Sequence, residues 1–281
     1  MNSMELPDES GNIKMFDSHA HYFDEKFNTL LGGADALLSD REFEKNICGV
    51  VNVATNHENA LECIRQSKKY DFMYNAVGIH PEDAQGMGKD EMHRQLGLIK
   101  ELISDSGKRK ENKTVAIGEI GFDYYWEPVD KQLQRECFIS QLELASKCGC
   151  PIIVHDRDAH KDTFDMLMDR TDVRGIIHSC SLSSDMALLL AKKGYYISFS
   201  GTLTFKNARR VKECCAALPL ECLLIETDAP YLAPHPHRGE INNSRLMRYT
   251  LEELAALHNV KAEHAARVLC KNASDIFEIE M

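Results

Sequence analysis

Four histidines and two carboxylates in this chain have the types and spacing of a metal-binding set. His19 and His21 form a His-x-His pair, and Glu119, His155, His178 and Asp228 each end, or closely follow, a short apolar run. Asp17 and His80 stand at the ends of such runs too. Imidazole and carboxylate donors together suit Zn, Mn, Co or Fe, while Mg favours a shell richer in carboxylates, so all five metals stay open. One catalytic zinc needs three protein ligands and an open position. Six candidates therefore imply two divalent ions. Ions about 3.5–4 Å apart that share a carboxylate would acidify a water between them, the nucleophile of a hydrolysis.

A His-x-His pair alone is weak, since random placement of 12 His among 281 residues gives about 0.5 such pairs. A second pair, His235-Pro236-His237, lies in a Pro-rich stretch and reads as a polar loop. His19 and His21 differ because they terminate a predicted strand, where residues i and i+2 project to one side. Their weight comes from the four further candidates at the ends of other runs.

Side chains so distant in sequence meet only if the fold gathers many strand ends. Eight short β-rich runs recur: Ile13–Phe16, Cys48–Ala54, Tyr74–Ile79, Val115–Ile120, Ile152–Val154, Gly175–Ile177, Tyr195–Phe199 and Leu223–Ile225. Near-continuous apolar runs suit strands buried on both faces, as in a parallel sheet covered by helices. Between the runs, apolar residues recur at helical spacing, as at Leu133, Cys137, Ile139, Leu142, Leu144 and Ala145. Asn56, Asp130 and Ser183 are placed to cap helix starts, and Gly149 and Gly194 to end helices. Eight β/α alternations predict an α/β chain folded as a (β/α)8 TIM barrel, whose reactive residues come from strand C-terminal ends. Residues 244–277 read as helices covering the barrel's outside or bottom. No Ser/Gly/Pro-rich linker divides the chain, so residues 1–281 are expected to form one domain, with 1–12 a flexible extension.

Composition narrows the setting. A chain of 281 residues, 43% hydrophobic and 27% charged, is ordinary globular material, not coiled coil or collagen. Its longest apolar stretch, Met186 to Ala191, is far shorter than the 18 or so residues needed to cross a bilayer. The leading residues MNSMELPDESGNIK carry acids and no apolar core, unlike a secretory signal. Ten cysteines without such a signal are expected to be reduced core thiols of a cytoplasmic protein. The net charge of −11 argues against a surface that attracts phosphate backbones throughout. An anionic substrate would be held locally. A monomer is the favoured state.

The segments FDSHAHY, GIHPEDA, AIGEIGFDYYW, PIIVHDRDA, GIIHS and LLIETDAPYLAPHPHRG fall in the order characteristic of one family. Over about residues 15–277 the chain resembles the TatD family of metal-dependent deoxyribonucleases, within the amidohydrolase-like barrels. The resemblance implies a TIM barrel, a divalent metal and hydrolysis of phosphodiester bonds in DNA, often from an end. It implies His19, His21, Glu119, His155, His178 and Asp228 as metal ligands, with Glu119 bridging the ions. Related barrels that open C–N bonds in rings often carry a carboxylated lysine at the Glu119 position, so Glu119 favours the phosphoesterase branch. Two stretches depart from the family. His178-Ser179-Cys180-Ser181-Leu182 replaces His-Cys-Phe-Ser-Gly, and Glu240-Ile241-Asn242-Asn243-Ser244 replaces the usual Asn-Glu-Pro segment. These departures bear on substrate fit rather than on hydrolysis.

In the expected mechanism Asp228 orients the water and takes its proton, a role that requires hydrogen-bond reach; the alternative is a ligand only. Arg157 and Arg238 could pair with phosphate through two hydrogen bonds, or form salt bridges to nearby acids. His80 could donate to phosphate or be a satisfied buried histidine. Tyr125 and Trp126 could stack a base at little cost in sequence specificity, or pack their loop against the rim. Two other readings stay open: a barrel hydrolase acting on a small amide, lactone or ester, and a non-catalytic binding protein on a decayed barrel.

Overall fold

The computed structural model of the chain describes residues 13–103 and 105–280, and the expected N-terminal extension, residues 1–12, lies outside the described residues. Each apolar run contributes a strand: β1 Met15–Ala20, β2 Ile47–Val53, β3 Met73–Val77, β4 Thr114–Asp123, β5 Ile152–Arg157, β6 Gly175–Ile177, β7 Tyr196–Phe199 and β8 Leu223–Ile225. All pair in parallel in sequence order. A parallel bridge from Ala20 to Ala229 ties the chain after β8 back to β1. The architecture is the expected (β/α)8 TIM barrel.

The strands are largely apolar along their lower parts because both of their faces are covered. Val51, Ala76, Ile153, Ile176 and Leu224 pack together on one face. Val50, Val77, Ile117, Val154 and Ile197 on the other belong to the cluster shared with the surrounding helices. The C-terminal helix Ala262–Phe277 brings Cys270, Ala273, Ile276 and Phe277 against the first group. Its Phe277 ring lies 5.8 Å from Phe16 near the start of β1, so this helix closes the bottom of the barrel, one of the two places expected for it.

Helix ends follow the capping residues. The side chains of Asn56, Asp130 and Ser183 accept the amides of Asn59, Leu133 and Met186, and Gly149, at φ 64°, ends the helix Lys131–Cys148. On that helix Leu133, Cys137, Leu142, Leu144 and Ala145 are buried as expected, Ile139 only partly, and Phe138 fully. Gln134 and Gln141 are buried on it as well. Seven residues apart, they share a face. Gln141 accepts from the amide of Ile79 (2.7 Å) and donates to its carbonyl (3.0 Å). Gln134 does the same for Asp123, at 2.9 and 2.7 Å. One helix thus fixes the ends of two neighbouring strands.

Three strands run further than their apolar runs. β1 continues to Ala20, β4 to Asp123 and β5 to Arg157. His155 therefore sits within a strand, held by the pairings Gly121 to His155, Phe122 to Asp156 and Asp123 to Arg157, while Glu119 lies in β4 at the register break between Ile117 and Ile120. Polar residues prolong these strands because the barrel mouth satisfies their side chains. At Gly121, φ is +145° and an added Cβ would lie 2.0 Å from the His155 carbonyl oxygen, so glycine alone permits this approach. All ten cysteines are free thiols, seven of them buried. Among the described residues no helix is long and apolar enough to cross a membrane.

Candidate metal centre

A cavity of about 550 Å³ opens at the C-terminal ends of the strands. At its floor the imidazole Nε2 atoms of His19 and His21 lie 3.0 Å apart. Glu119 Oε2 stands 3.3 Å from His19 Nε2 and 3.7 Å from His21 Nε2. Its other oxygen, Oε1, faces a different pair, His155 Nδ1 at 2.6 Å and His178 Nε2 at 3.5 Å. Asp228 Oδ1 lies 3.3 Å from His21 Nε2, 3.8 Å from His19 Nε2 and 3.9 Å from His178 Nε2. The structure thus brings all six sequence-derived candidates into one cluster.

These separations suit shared cations. Ligand atoms about 2.1 Å from a tetrahedral ion are about 3.4 Å apart, close to most of the spacings above. His21 Nδ1 lies 2.6 Å from the Val53 carbonyl, which can only accept, so the neutral ring keeps its Nε2 lone pair toward the cluster. Two carboxylates support the other half. Asp123 Oδ2 lies 3.0 Å from His155 Nε2, and Glu226 Oε1 lies 2.7 Å from His178 Nδ1. Carboxylates behind ligand histidines fix the ring and raise its basicity.

Protons hold this cluster together when cations do not. Burial opposes charge on His155, but Glu119 and the hydrogen bond to Asp123 outweigh it and raise the ring to about 9. Burial likewise opposes charge on His178, yet Glu226 and Glu119 carry it to about 10. Burial pushes Glu119 upward, but the neighbouring imidazoles hold it well below the usual carboxylate range. Asp228 is held low against burial by His21 and His178. Its φ of 58° places a non-glycine residue in the left-handed region, and such strain collects at functional sites.

Other sequence-derived candidates sit at different depths. His80 Nδ1 accepts the Glu82 amide at 3.2 Å, so the neutral ring carries its proton on Nε2, which lies 3.8 Å from Glu119 Oε1. Burial and the charge on His155 lower His80 to about 3 and keep it neutral. His80 also forms, with Asp123 and His155, a further group of metal-ligating type. Arg157 and Trp126 line the cavity. The Arg157 guanidinium lies 3.8 Å from the Tyr125 ring centroid and 5.6 Å from that of Trp126. Both rings are about half exposed. Arg238 stands outside the lining, its guanidinium 3.7 Å from the Phe205 ring centroid.

Asp17 does not join the cluster. It is fully buried and accepts from Thr227 Oγ1 (2.7 Å) and Ser244 Oγ (2.6 Å), tying the segment after β8 to β1. The β1 register breaks between Asp17 and Ala20, so strand parity does not carry Asp17 to the side of His19. The departures from the family pattern also resolve spatially. Cys180 and Leu182 are buried at 2% exposure, whereas Ser179 and Ser181 line the cavity. Asn242 is buried and donates to the carbonyls of Thr227 and Tyr231. Sequence reading missed Asp123, Glu226 and the two glutamines. Glu226 had a signal, two residues before Asp228 on the same strand extension.

The chain matches a family model described as "TatD related DNase" over residues 16–278. It is 36% identical to the uncharacterized metal-dependent hydrolase YabD of Bacillus subtilis, covering 94% of this chain and 99% of that one. Identity to the uncharacterized metal-dependent hydrolase YcfH of Escherichia coli is 33%, over 95% and 96% of the two chains. Among solved structures, the TatD homologue YjjV from Escherichia coli superposes with a TM-score of 0.84 at 26% identity, covering 95% of this chain and 99% of that one.

Proposed function

The chain belongs to the TatD family of metal-dependent hydrolases, and on that premise we propose that it hydrolyses phosphodiester bonds in DNA from an end. One observation carries this reading: the two oxygens of Glu119 face two separate pairs of imidazoles, at 3.3 and 3.7 Å on one side and 2.6 and 3.5 Å on the other. A carboxylate so placed would suit two divalent ions, one at each oxygen. His19, His21 and Glu119 would hold one, with Asp228 Oδ1 beside both imidazoles, and His155, His178 and Glu119 the other. Such an ion pair supplies Lewis acidity, lowering the pKa of a water and neutralising charge on an in-line phosphoryl transition state.

The chain's own groups do the rest. Asp228 stands at the edge of the cluster toward the cavity and takes the proton of the attacking water. His80, neutral with Nε2–H turned to the cavity, donates to a non-bridging phosphate oxygen without a change of charge state. Arg157 pairs with phosphate, and Tyr125 and Trp126 stack a base beside it. Arg238, outside the cavity, contacts the strand further along. Cys180 and Leu182, two departures from the family pattern that leave room for an amide, lactone or ester substrate, are buried away from the cavity, which supports the phosphodiester reading.

The test is a time course of Mn²⁺-loaded protein on an end-labelled single-stranded oligonucleotide. A ladder shrinking from one end is expected. Asp228→Asn should abolish it with the circular dichroism spectrum intact. Turnover of lactones or amides without cleavage of the oligonucleotide would refute the reading.

A further inference from the structure

Six large apolar side chains are notably exposed among the described residues, and the three aromatic ones, Tyr125, Trp126 and Tyr231, all lie on loops at the mouth of the barrel. Tyr125 and Trp126 follow β4, whereas Tyr231 follows β8. In a barrel closed in strand order, β8 and β1 lie across the mouth from β4 and β5. Trp126 and Tyr231 nevertheless line the same cavity, so it spans the mouth from one to the other.

The two sides repeat one arrangement. On the first, Arg157 lies 3.8 Å from the Tyr125 ring centroid. On the second, Lys26 Nζ lies 3.7 Å from the Tyr231 ring centroid. Neither cation forms an ion pair among the described residues, although acids outnumber bases by 11 in the chain. The Tyr231 ring is held firmly. Its hydroxyl donates to Asp24 Oδ2 at 2.6 Å, and its amide donates to the Asp228 carbonyl at 2.8 Å. Asp24 Oδ1 accepts the Lys26 amide at 2.8 Å, so one carboxylate sets both the ring and the turn that carries the lysine. This wall is therefore connected by a backbone hydrogen bond to the residue proposed to take the water's proton.

We infer that Tyr231 and Lys26 form a second nucleotide-holding wall, which stacks a base and contacts the backbone phosphate on the side of the scissile bond away from Trp126 and Arg157. The inference rests on the proposed cleavage of DNA and adds a contact that this reading does not contain. A ring accepts any base face, and an ammonium beside it neutralises the adjoining phosphate, so the wall grips a single strand irrespective of sequence. In so acidic a chain, attraction for a polyanion has to be concentrated at such points.

The test uses the full chain loaded with Mn²⁺ and two substrates: a short single-stranded oligonucleotide, and bis(p-nitrophenyl) phosphate, which has no flanking nucleotide. Tyr231→Ala should lower kcat/KM on the oligonucleotide about tenfold, chiefly through KM, while Tyr231→Phe, which keeps the ring and loses only its hydroxyl bond to Asp24, should cost less, about twofold. Lys26→Ala should make the slope of log kcat/KM against log salt concentration shallower by about 0.7, the loss of one phosphate contact on a single strand. Wild-type efficiency in Tyr231→Ala together with an unchanged slope in Lys26→Ala would overturn the inference. So would an equal loss in Tyr231→Ala on both substrates, because the ring would then be supporting the floor of the site. If the unsubstituted protein cleaves neither substrate, the underlying reading fails first and this wall with it.

Discussion

Glu119 joins the two halves of the site, and the carboxylates behind its neighbours decide how firmly those halves are held. Asp123 contacts His155 through one oxygen and, through the other, accepts the amide of Tyr125 at 2.8 Å. It therefore aligns a candidate ligand histidine and anchors the aromatic loop together. Asp123→Asn should weaken metal affinity about 10- to 100-fold, the usual cost of losing such a partner, as read by isothermal titration calorimetry. His155 and His178, raised to about 9 and about 10, are protonated at neutral pH in the metal-free protein. A cation must displace those protons, so apparent affinity should rise with pH by about tenfold per unit for each proton displaced, up to about pH 9. Titrations in buffers of different ionisation enthalpy would show the proton release. An affinity independent of pH between 6 and 8 would contradict it. The six ligand candidates were legible because each ends or adjoins a strand. Asp123 was not, because a carboxylate that touches a ligand from a neighbouring strand leaves no spacing in the sequence.

At the scale of elements, the helix Lys131–Cys148 is a positioning device as much as a cover. Gln134 supplies both hydrogen bonds to the Asp123 backbone and also donates to Gln85 at 2.9 Å. Gln134→Leu keeps the apolar stripe but strands a buried amide and carbonyl, each costing about 1–3 kcal/mol. A lower midpoint of thermal unfolding is expected, together with weaker metal binding through Asp123. A variant as stable as wild type would show that these bonds are dispensable. Every strand was legible in outline from its apolar run. Three were read too short, since the reading stopped before the polar Asp17 in β1 and His155 in β5 and before Gly121 in β4, and the residues beyond carry or adjoin the site. Helix starts at Asn56, Asp130 and Ser183 were legible since capping depends on neighbours in sequence. The buried glutamines carry no sequence signal of their own, and only the barrel shows that strand ends lie beneath them.

For the whole molecule, the barrel collects side chains from residue 19 to residue 228 at one mouth, while the helix Ala262–Phe277 closes the opposite end. Such a site is complete only in the folded chain, so cations stabilise the fold by mass action, by about 2.7 kcal/mol at free metal 100-fold above Kd. Chelation with EDTA should lower the unfolding midpoint, and Mn²⁺ should restore it; a midpoint indifferent to chelation would argue against resident cations. The order of elements and the barrel class were legible in the repeated β/α alternation. The depth of each side chain was not, as Asp17 and Arg238 demonstrate. The most direct measurement is anomalous X-ray diffraction from crystals loaded with Mn²⁺. Two peaks are expected about 3.5–4 Å apart, one on each side of Glu119. A single peak, or peaks remote from Glu119 and Asp228, would contradict the account.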